Sequence, residues 1–456
     1  MFKSTHFPDD LAPANQETIE AILQAGLAAV DPGIAVHQSM KRMGTSSLEV
    51  GGERYDLDSY RRVVVVGFGK AAIPMAAALE SILAEKLTTG LVISKHLGVN
   101  TGLEALSKFQ VKQGSHPVPD QQSIQATQAL MEITRDCTKE DLIFCLISGG
   151  GSALFTNPVE GITLEDMQTL TRQLLKSGAE IGEINTLRKH LDRVKGGGLA
   201  RWLFPAQVVT LIISDVIGSP LEVIASGPTV ADPSTFADAV QILCKYHLND
   251  EIPGSIGNYF RRGLIDENLE SVKPGDPALE RVQNLVIASN YQAALASAAE
   301  AQRRGMNALI LTTYLHGEAS QTGLMLASIL KQVSQTGEPL PRPACVIAGG
   351  EPTVTIRGSG LGGRNLEAAL GSVYDLAGID EIALVTLGTD GEDGPTDAAG
   401  AVVTGETLKK AGILQLNPGN YLANNDSYHF FEQAGGLILT GPTGTNVNDL
   451  AFLFAF

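Results

Sequence analysis

Short apolar runs recur along this chain, and each stops at glycine or a small polar residue before a stretch that reads as helix. Residues 63–66 run into Gly67, Gly69 and Lys70, and residues 142–147 run into Ser148 and three glycines. The same shape returns at 208–213 before Ser214 and Asp215, and at 285–288 before Ser289 and Asn290. It returns again at 346–348 before Gly349, Gly350 and Glu351, and at 382–387 before Gly388, Thr389 and Asp390. Continuous apolar runs, rather than alternating ones, predict strands buried on both faces. The stretches 71–80, 123–135, 291–304 and 318–333 read as helices. Strand–helix alternation predicts an α/β fold with mainly parallel sheets. In such sheets ligands bind outside the carboxyl ends of the strands, which is where the glycines and polar residues gather.

The chain has 456 residues. At roughly 150 residues per domain this allows two or three domains, and the large size of many α/β domains favours two. Residues 249–277, rich in Gly, Pro and charge, read as a loop and place the boundary there, giving domains 1–262 and 263–456. With 44% hydrophobic and 18% charged residues the chain is not intrinsically disordered. No apolar run approaches the roughly 20 residues that span a bilayer, and the first residues show no apolar signal core. The cytoplasm is the expected compartment, with no membrane partner. A net charge of −17 argues against nucleic-acid binding. Anionic ligands would need locally concentrated cations. Cys137, Cys145, Cys244 and Cys345 form no CxxC pair and read as thiols.

Several motifs carry candidate chemistry, each with a plainer alternative. GFGKAA at 67–72 follows a strand and opens a helix, so Gly67 and Gly69 would let backbone N–H groups approach an anion while Lys70 adds charge. It matches the dinucleotide fingerprint spacing, but the following strand ends in Ser94 and Lys95 without a ribose-binding acid. The alternative is a tight turn with an exposed lysine. SGGGSAL places Ser148, Gly149, Gly150, Gly151 and Ser152 as a phosphate cradle or a sharp turn. It lacks the G-x-S-x-G elbow of a serine nucleophile. Arg188, Lys189, Arg193 and Lys195 cluster before a second glycine triplet; they would contact a substrate anion or form a solvated helix face with Arg188 paired to Asp192.

Asp215 ends a strand and could hold Mg²⁺ or orient a substrate hydroxyl. Asp390, Glu392, Asp393 and Asp397 follow another buried strand without the EF-hand register; one or two carboxylates with substrate phosphates suit Mg²⁺. Arg364, behind Gly362 and Gly363 at a helix start, could stabilise phosphoryl oxygens or pair with Glu367. His116, between Ser115 and Pro117, reads as a structural turn. The apolar tail 451–456 reads as packing in a core or at a subunit contact, compatible with a homo-oligomer.

Taken together and in order, GFGKA, GSHPVPD, SGGGSAL, INTLRKHL with KGGGLA, SDVIGSPLEVIASGPT, GGRN-x-E, GTDGEDGPTDAAGA and NNDSY with TGPTGTNVNDL resemble the class II glycerate kinases, whose C-terminal part is called the MOFRL domain. The resemblance runs from about Asn15 to Leu450. It implies ATP-dependent phosphorylation of D-glycerate to 2-phosphoglycerate. It also implies an N-terminal Rossmann-like domain and a smaller C-terminal α/β domain, with the active site in the cleft between them. The family's catalytic lysine and arginine fall on Lys70 and Arg364. Asp215 is assigned as base or metal ligand, and Asp390 as metal ligand. Gly67, Gly69, Ser148 to Ser152, Arg188, Lys195, Asn290 and Glu351 are assigned to substrate or phosphate. The family pattern often has Gln where Leu366 stands and Asp where Ser219 and Glu222 stand, which would shift sugar-acid specificity if those positions touch substrate. Two other readings compete: an NAD(P)H-dependent hydroxypyruvate reductase, permitted by the 67–72 fingerprint, and a non-catalytic sugar-phosphate-binding regulator.

Overall fold

The computed structural model describes residues 4–5, 7–95, 106–249 and 251–456. It divides into two compact units, one made of Met1–Asp31, Asp215–Gly218 and Ala288–Phe456, the other of Pro32–Ser214 and Ser219–Ile287. The boundary expected between residues 262 and 263 is therefore corrected to Ile287/Ala288. Strand Val282–Ala288 lies beside Gln207–Ile213, so the segment after 262 stays with the sheet before it. The presumed loop at 249–277 contains the helix Gly254–Gly263. The amino-terminal helix Pro13–Ala29 belongs with the carboxyl-terminal half.

The Pro32–Ile287 unit carries a six-stranded sheet in the order Val282–Ala288, Gln207–Ile213, Asp141–Ile147, Arg62–Phe68, Thr89–Ser94, Phe109–Gln113. The five strands from Gln207–Ile213 to Phe109–Gln113 pair in parallel, as predicted. Strand Asp141–Ile147 is buried at every residue, which explains its unbroken apolar run. From Arg62–Phe68 the chain proceeds outward to one edge, then returns to Asp141–Ile147 on the other side. The two central strands thus form a topological switch point, where the connections leave in opposite directions and open a crevice. A helical layer of Leu164–Lys176, Ile181–His190, Phe236–Lys245 and Gly254–Gly263 packs around Phe236, Phe260, Leu170 and Leu187. Three of these helices start at capping boxes, Thr163 with Asp166, Glu180 with Glu183 and Thr235 with Asp238, which satisfy orphan N–H groups at the helix start.

The second unit also alternates helices and strands, but its seven-stranded sheet is largely antiparallel, contrary to the expectation. Among the described residues its one parallel strand pairing joins Asn307–Leu315 to Ala344–Gly350. The cause is the tail. Strand Asp449–Ala455 inserts between Ala344–Gly350 and Ile382–Gly388, antiparallel to both. The tail is therefore core, with Phe452 and Phe454 fully buried. The sheet core packs against the helices Ala319–Thr336 and Arg364–Leu376 through Leu326, Leu330, Leu366 and Val373. Cys145 and Cys345 are buried thiols in the two sheets, and burial pushes both thiol pKa values up. Among the described residues no single helix is long and apolar enough to cross a membrane.

Candidate active site

In the Pro32–Ile287 unit the switch point brings the two glycine turns together. The backbone N–H of Lys70 donates to the Gly149 carbonyl at 2.9 Å, and that of Ala71 donates to Ser148 Oγ at 3.0 Å. Gly69 has φ +131°, and a Cβ there would lie 2.2 Å from Ser148 Oγ, so no side chain fits. Gly150 has φ +80°, and its face meets the His116 ring. Among the described residues the N–H groups of Gly149 and Gly150 donate to nothing, and the Lys70 ammonium is exposed with no hydrogen-bond or ion-pair partner. Unpaired donors on adjacent glycines beside a lysine are an arrangement that can cradle an anion. His116 is half-buried, and burial lowers its pKa, with Lys70 and Lys95 adding to the shift.

Other residues expected to bind ligand here make contacts within the protein. Gly67 lies inside its strand, where a Cβ would crowd Leu146 and Val92. The Ser152 hydroxyl bonds that of Ser226 at 2.7 Å. Lys195 is buried: its ammonium binds Asp192 at 3.0 Å and the Phe155 carbonyl at 2.7 Å. Burial pulls the Lys195 pKa down, and Asp192 opposes this. It is an internal cation that holds the chain just after the glycine turn. Arg188 is largely buried near Thr171 Oγ1, at 3.5 Å. The expected Arg188–Asp192 helix pair is not made, because the helix ends at His190 and Asp192 turns to Lys195 and Thr156. Ser214 ends the first segment of the Pro32–Ile287 unit, and Asp215 begins the short segment Asp215–Gly218 of the other unit.

In the Ala288–Phe456 unit a second cluster forms at the ends of the central strands. Asp449 opens the tail strand and pairs in register with Gly350 on one side and Gly388 on the other. The ends of both flanking strands, with the loops that carry Glu351 and Asp390, therefore lie beside it. Arg364, first residue of the helix Arg364–Leu376, grips Asp449 through Nε at 2.5 Å and Nη2 at 3.2 Å, and donates Nη1 to Glu351 at 3.0 Å. Burial alone would lower the Arg364 pKa; Asp449 and Glu351 outweigh it and hold the guanidinium charged. Burial pushes the Asp449 carboxyl up, opposed by Arg364 and the Asn365 amide. The expected Arg364–Glu367 pair is absent: Glu367 accepts from Asn425 at 2.6 Å.

Asp393 does not face the solvent. It accepts from the N–H groups of Asn365 and Leu366 at 3.0 and 2.8 Å and so caps the Arg364 helix. Asp397 accepts from the Tyr428 hydroxyl at 2.9 Å. Asn290 is buried and gives both amide hydrogens to backbone carbonyls, Val447 at 2.9 Å and Asp449 at 2.8 Å, which clamps the tail strand. Leu366 is buried in the core, so the departure from the family pattern there does not meet a ligand directly. Sequence reasoning missed Asp449. Its signal was a carboxylate at the head of an apolar run, the reverse of the strand-end pattern used elsewhere.

Residues 18–261 match the family described as "Domain of unknown function (DUF4147)", and residues 344–449 match the MOFRL family. The chain is 42% identical to the D-glycerate 2-kinase of Thermotoga maritima, covering 94% of this chain and 95% of that protein. It is 43% identical to a glycerate 2-kinase of Pyrococcus horikoshii, covering 93% of each. The protein belongs to the glycerate kinase family. A crystal structure of the Thermotoga maritima glycerate kinase superposes with a TM-score of 0.86 at 39% identity, over 97% of this chain and 99% of that one. Within this glycerate kinase family member, Lys70 and Arg364 occupy contrasting settings: the lysine has no partner among the described residues, and the arginine is held by two carboxylates.

Mg²⁺ is the metal implied by the family. Among the described residues no group of three or more His, Cys, Asp or Glu converges as a metal cage. Mg²⁺ needs less, since it is commonly held by one or two carboxylates with substrate phosphates and water. Asp390, partly exposed at its loop, meets that requirement, while Asp393 and Asp397 are engaged elsewhere.

Proposed function

We propose that the protein is an ATP-dependent D-glycerate kinase that forms 2-phosphoglycerate. The observation that carries the reading is the Lys70 ammonium beside the N–H groups of Gly149 and Gly150, all without partners among the described residues, in a chain of this family. Phosphoryl transfer demands positioning and charge stabilisation more than covalent chemistry. In this reading the substrate hydroxyl attacks the γ-phosphorus in line, and the phosphorus–oxygen bond to ADP breaks. Lys70 neutralises charge on the transferring group, and the 148–152 turn cradles phosphate oxygens. Arg364 presents its remaining N–H groups, oriented by Asp449 and Glu351. Asp215 orients the attacking hydroxyl and receives its proton. Asp390 would hold Mg²⁺, which when bound would supply charge neutralisation on the phosphates.

The test is purified protein with D-glycerate, ATP and Mg²⁺, following ADP and identifying the phosphorylated carbon, beside hydroxypyruvate with NAD(P)H followed by absorbance. ADP formation dependent on glycerate supports the kinase. Oxidation of NAD(P)H without ADP formation would instead establish the reductase, and ligand binding with neither reaction would establish a regulator. In the metal arm, Asp390→Asn should raise the Mg²⁺ requirement; an unchanged requirement removes Asp390 from that role.

A further inference from the structure

A cavity of about 680 Å³ opens within the Pro32–Ile287 unit, inside the roughly 300–1,000 Å³ range of small-molecule sites. Its walls are the 159–161 loop, the chain around Arg193 and Gly196, the helix Gly254–Gly263 and residues 268–272. Neither Lys70 nor the 148–152 turn lines it.

Five Lys and Arg side chains line the cavity, and three already have partners: Lys189 with Asp232 at 3.2 Å, Lys195 with Asp192 at 3.0 Å, Arg201 with Asp276 at 3.1 Å. The other two differ. Arg193 has its nearest carboxylate, the highly exposed Glu160, at 3.9 Å, beyond hydrogen-bond length. Arg262 has no hydrogen bond or ion pair from its side chain among the described residues. Tyr259, 9% exposed, lines the same cavity, and its hydroxyl likewise has no partner among the described residues. Burial raises the Tyr259 pKa, while the charges of Arg262 and Arg193 pull against the rise. The carboxylates felt there are Asp266 and Glu270, and Glu270 is already tied to His190 at 2.8 Å and Lys273 at 3.1 Å.

We propose that this cavity is a second anion site, taking a phosphorylated small molecule whose phosphate sits on Arg262, Arg193 and the Tyr259 hydroxyl. Two forked guanidinia and a hydroxyl offer more donors than the two oxygens of one carboxylate can accept, and they suit the three terminal oxygens of a phosphate. The volume exceeds a bare ion and leaves space for the organic part of the molecule. The site adjoins the glycine turn through shared residues. Ser226 bonds Ser152 through its hydroxyl and accepts from the Gly196 N–H at 2.9 Å through its carbonyl. Asp192 holds Lys195 on one side and Thr156 on the other. A ligand in the cavity therefore presses on the same residues that set the turn.

The test is calorimetric titration of the whole protein with inorganic pyrophosphate, and with citrate as the carboxylate probe. It is run on wild type, Arg262→Gln, Tyr259→Phe and Lys70→Met. The proposal expects pyrophosphate binding that survives Lys70→Met, weakens on the order of tenfold in Arg262→Gln and severalfold in Tyr259→Phe. Both cavity variants should keep wild-type melting temperatures and wild-type turnover without added ligand. Absence of binding overturns the proposal. So does binding that is lost in Lys70→Met and untouched by Arg262→Gln, which would assign it to the glycine turn. Citrate binding as tightly as pyrophosphate, with the same dependence on Arg262, overturns the phosphate assignment.

Discussion

Arg364 and Asp449 lie 85 residues apart in sequence and meet in a two-point contact, Nε to Oδ2 and Nη2 to Oδ1. A forked guanidinium against a buried carboxylate fixes the orientation of both groups. Arg364 is thus at once a candidate for phosphoryl charge and a structural partner. The two roles separate experimentally. Arg364→Met should lower kcat on the order of 10³-fold, and it should also lower the melting temperature, because Asp449 is left buried without its cation. The double variant Arg364→Met/Asp449→Asn should recover stability and not activity. Recovery of kcat in the double variant would show that the arginine only neutralises Asp449. Lysine at 364 should restore little, since an ammonium cannot replace the fork.

Lys70 presents the opposite case. With no partner among the described residues, it can be removed without leaving a buried charge. Lys70→Met should lose on the order of 10³-fold in kcat with an unchanged melting temperature. Turnover within tenfold of wild type would remove the charge-stabilising role.

The same substitution should be visible at His116. Its folded pKa lies below the unfolded value of roughly 6.5, by burial first and by Lys70 and Lys95 after it. Between those two values the unfolded chain holds a proton that the folded protein does not. His116 therefore makes stability fall as pH drops through that window, and contributes nothing above it. NMR titration should place the imidazole below 6.5, and in Lys70→Met the value should rise. No movement would mean that the Lys70 ammonium points away from the His116 ring.

Lys195 tests an internal role against a ligand-binding one. Its side chain is 2% exposed and that of Asp192 is fully buried. Lys195→Met should cost roughly 3–5 kcal/mol by stranding Asp192. At about 2–4 °C per kcal/mol for a unit of this size, the melting temperature should fall by about 10 °C. The folded fraction should keep kcat and KM for both substrates within about threefold. A stable protein with a large rise in KM would return Lys195 to the ligand.

Truncation after Leu439 removes strand Asp449–Ala455, which pairs along its whole length with a neighbour on each side. Two buried strands would lose their common partner, and Phe452 and Phe454 would leave a void in the core. The truncated chain should be insoluble and inactive on expression; a soluble, active product would contradict the central placement of the tail.

Much of this was local and therefore legible. Strands ending in glycine are set by short-range physics: β-branched runs buried on both faces, then a turn that only glycine permits. Every strand read this way from residues 63 to 387 is a strand, and Lys70 and Ser148 stand where their motifs put them. What escaped was non-local. The antiparallel second sheet, the boundary after Ile287 and the return of Pro13–Ala29 to the far half all depend on pairings between distant segments. No local pattern encodes such pairings. The fate of each charge was decided the same way. Lys195 and Lys70 look alike as glycine-flanked lysines, yet one is buried against Asp192 and the other projects unpaired. The residues alone determined that cations stand beside glycines in an acidic chain. Only the tertiary structure decided which cation is already neutralised, because burial and partner distance, rather than residue type, set whether a charge is available to a ligand.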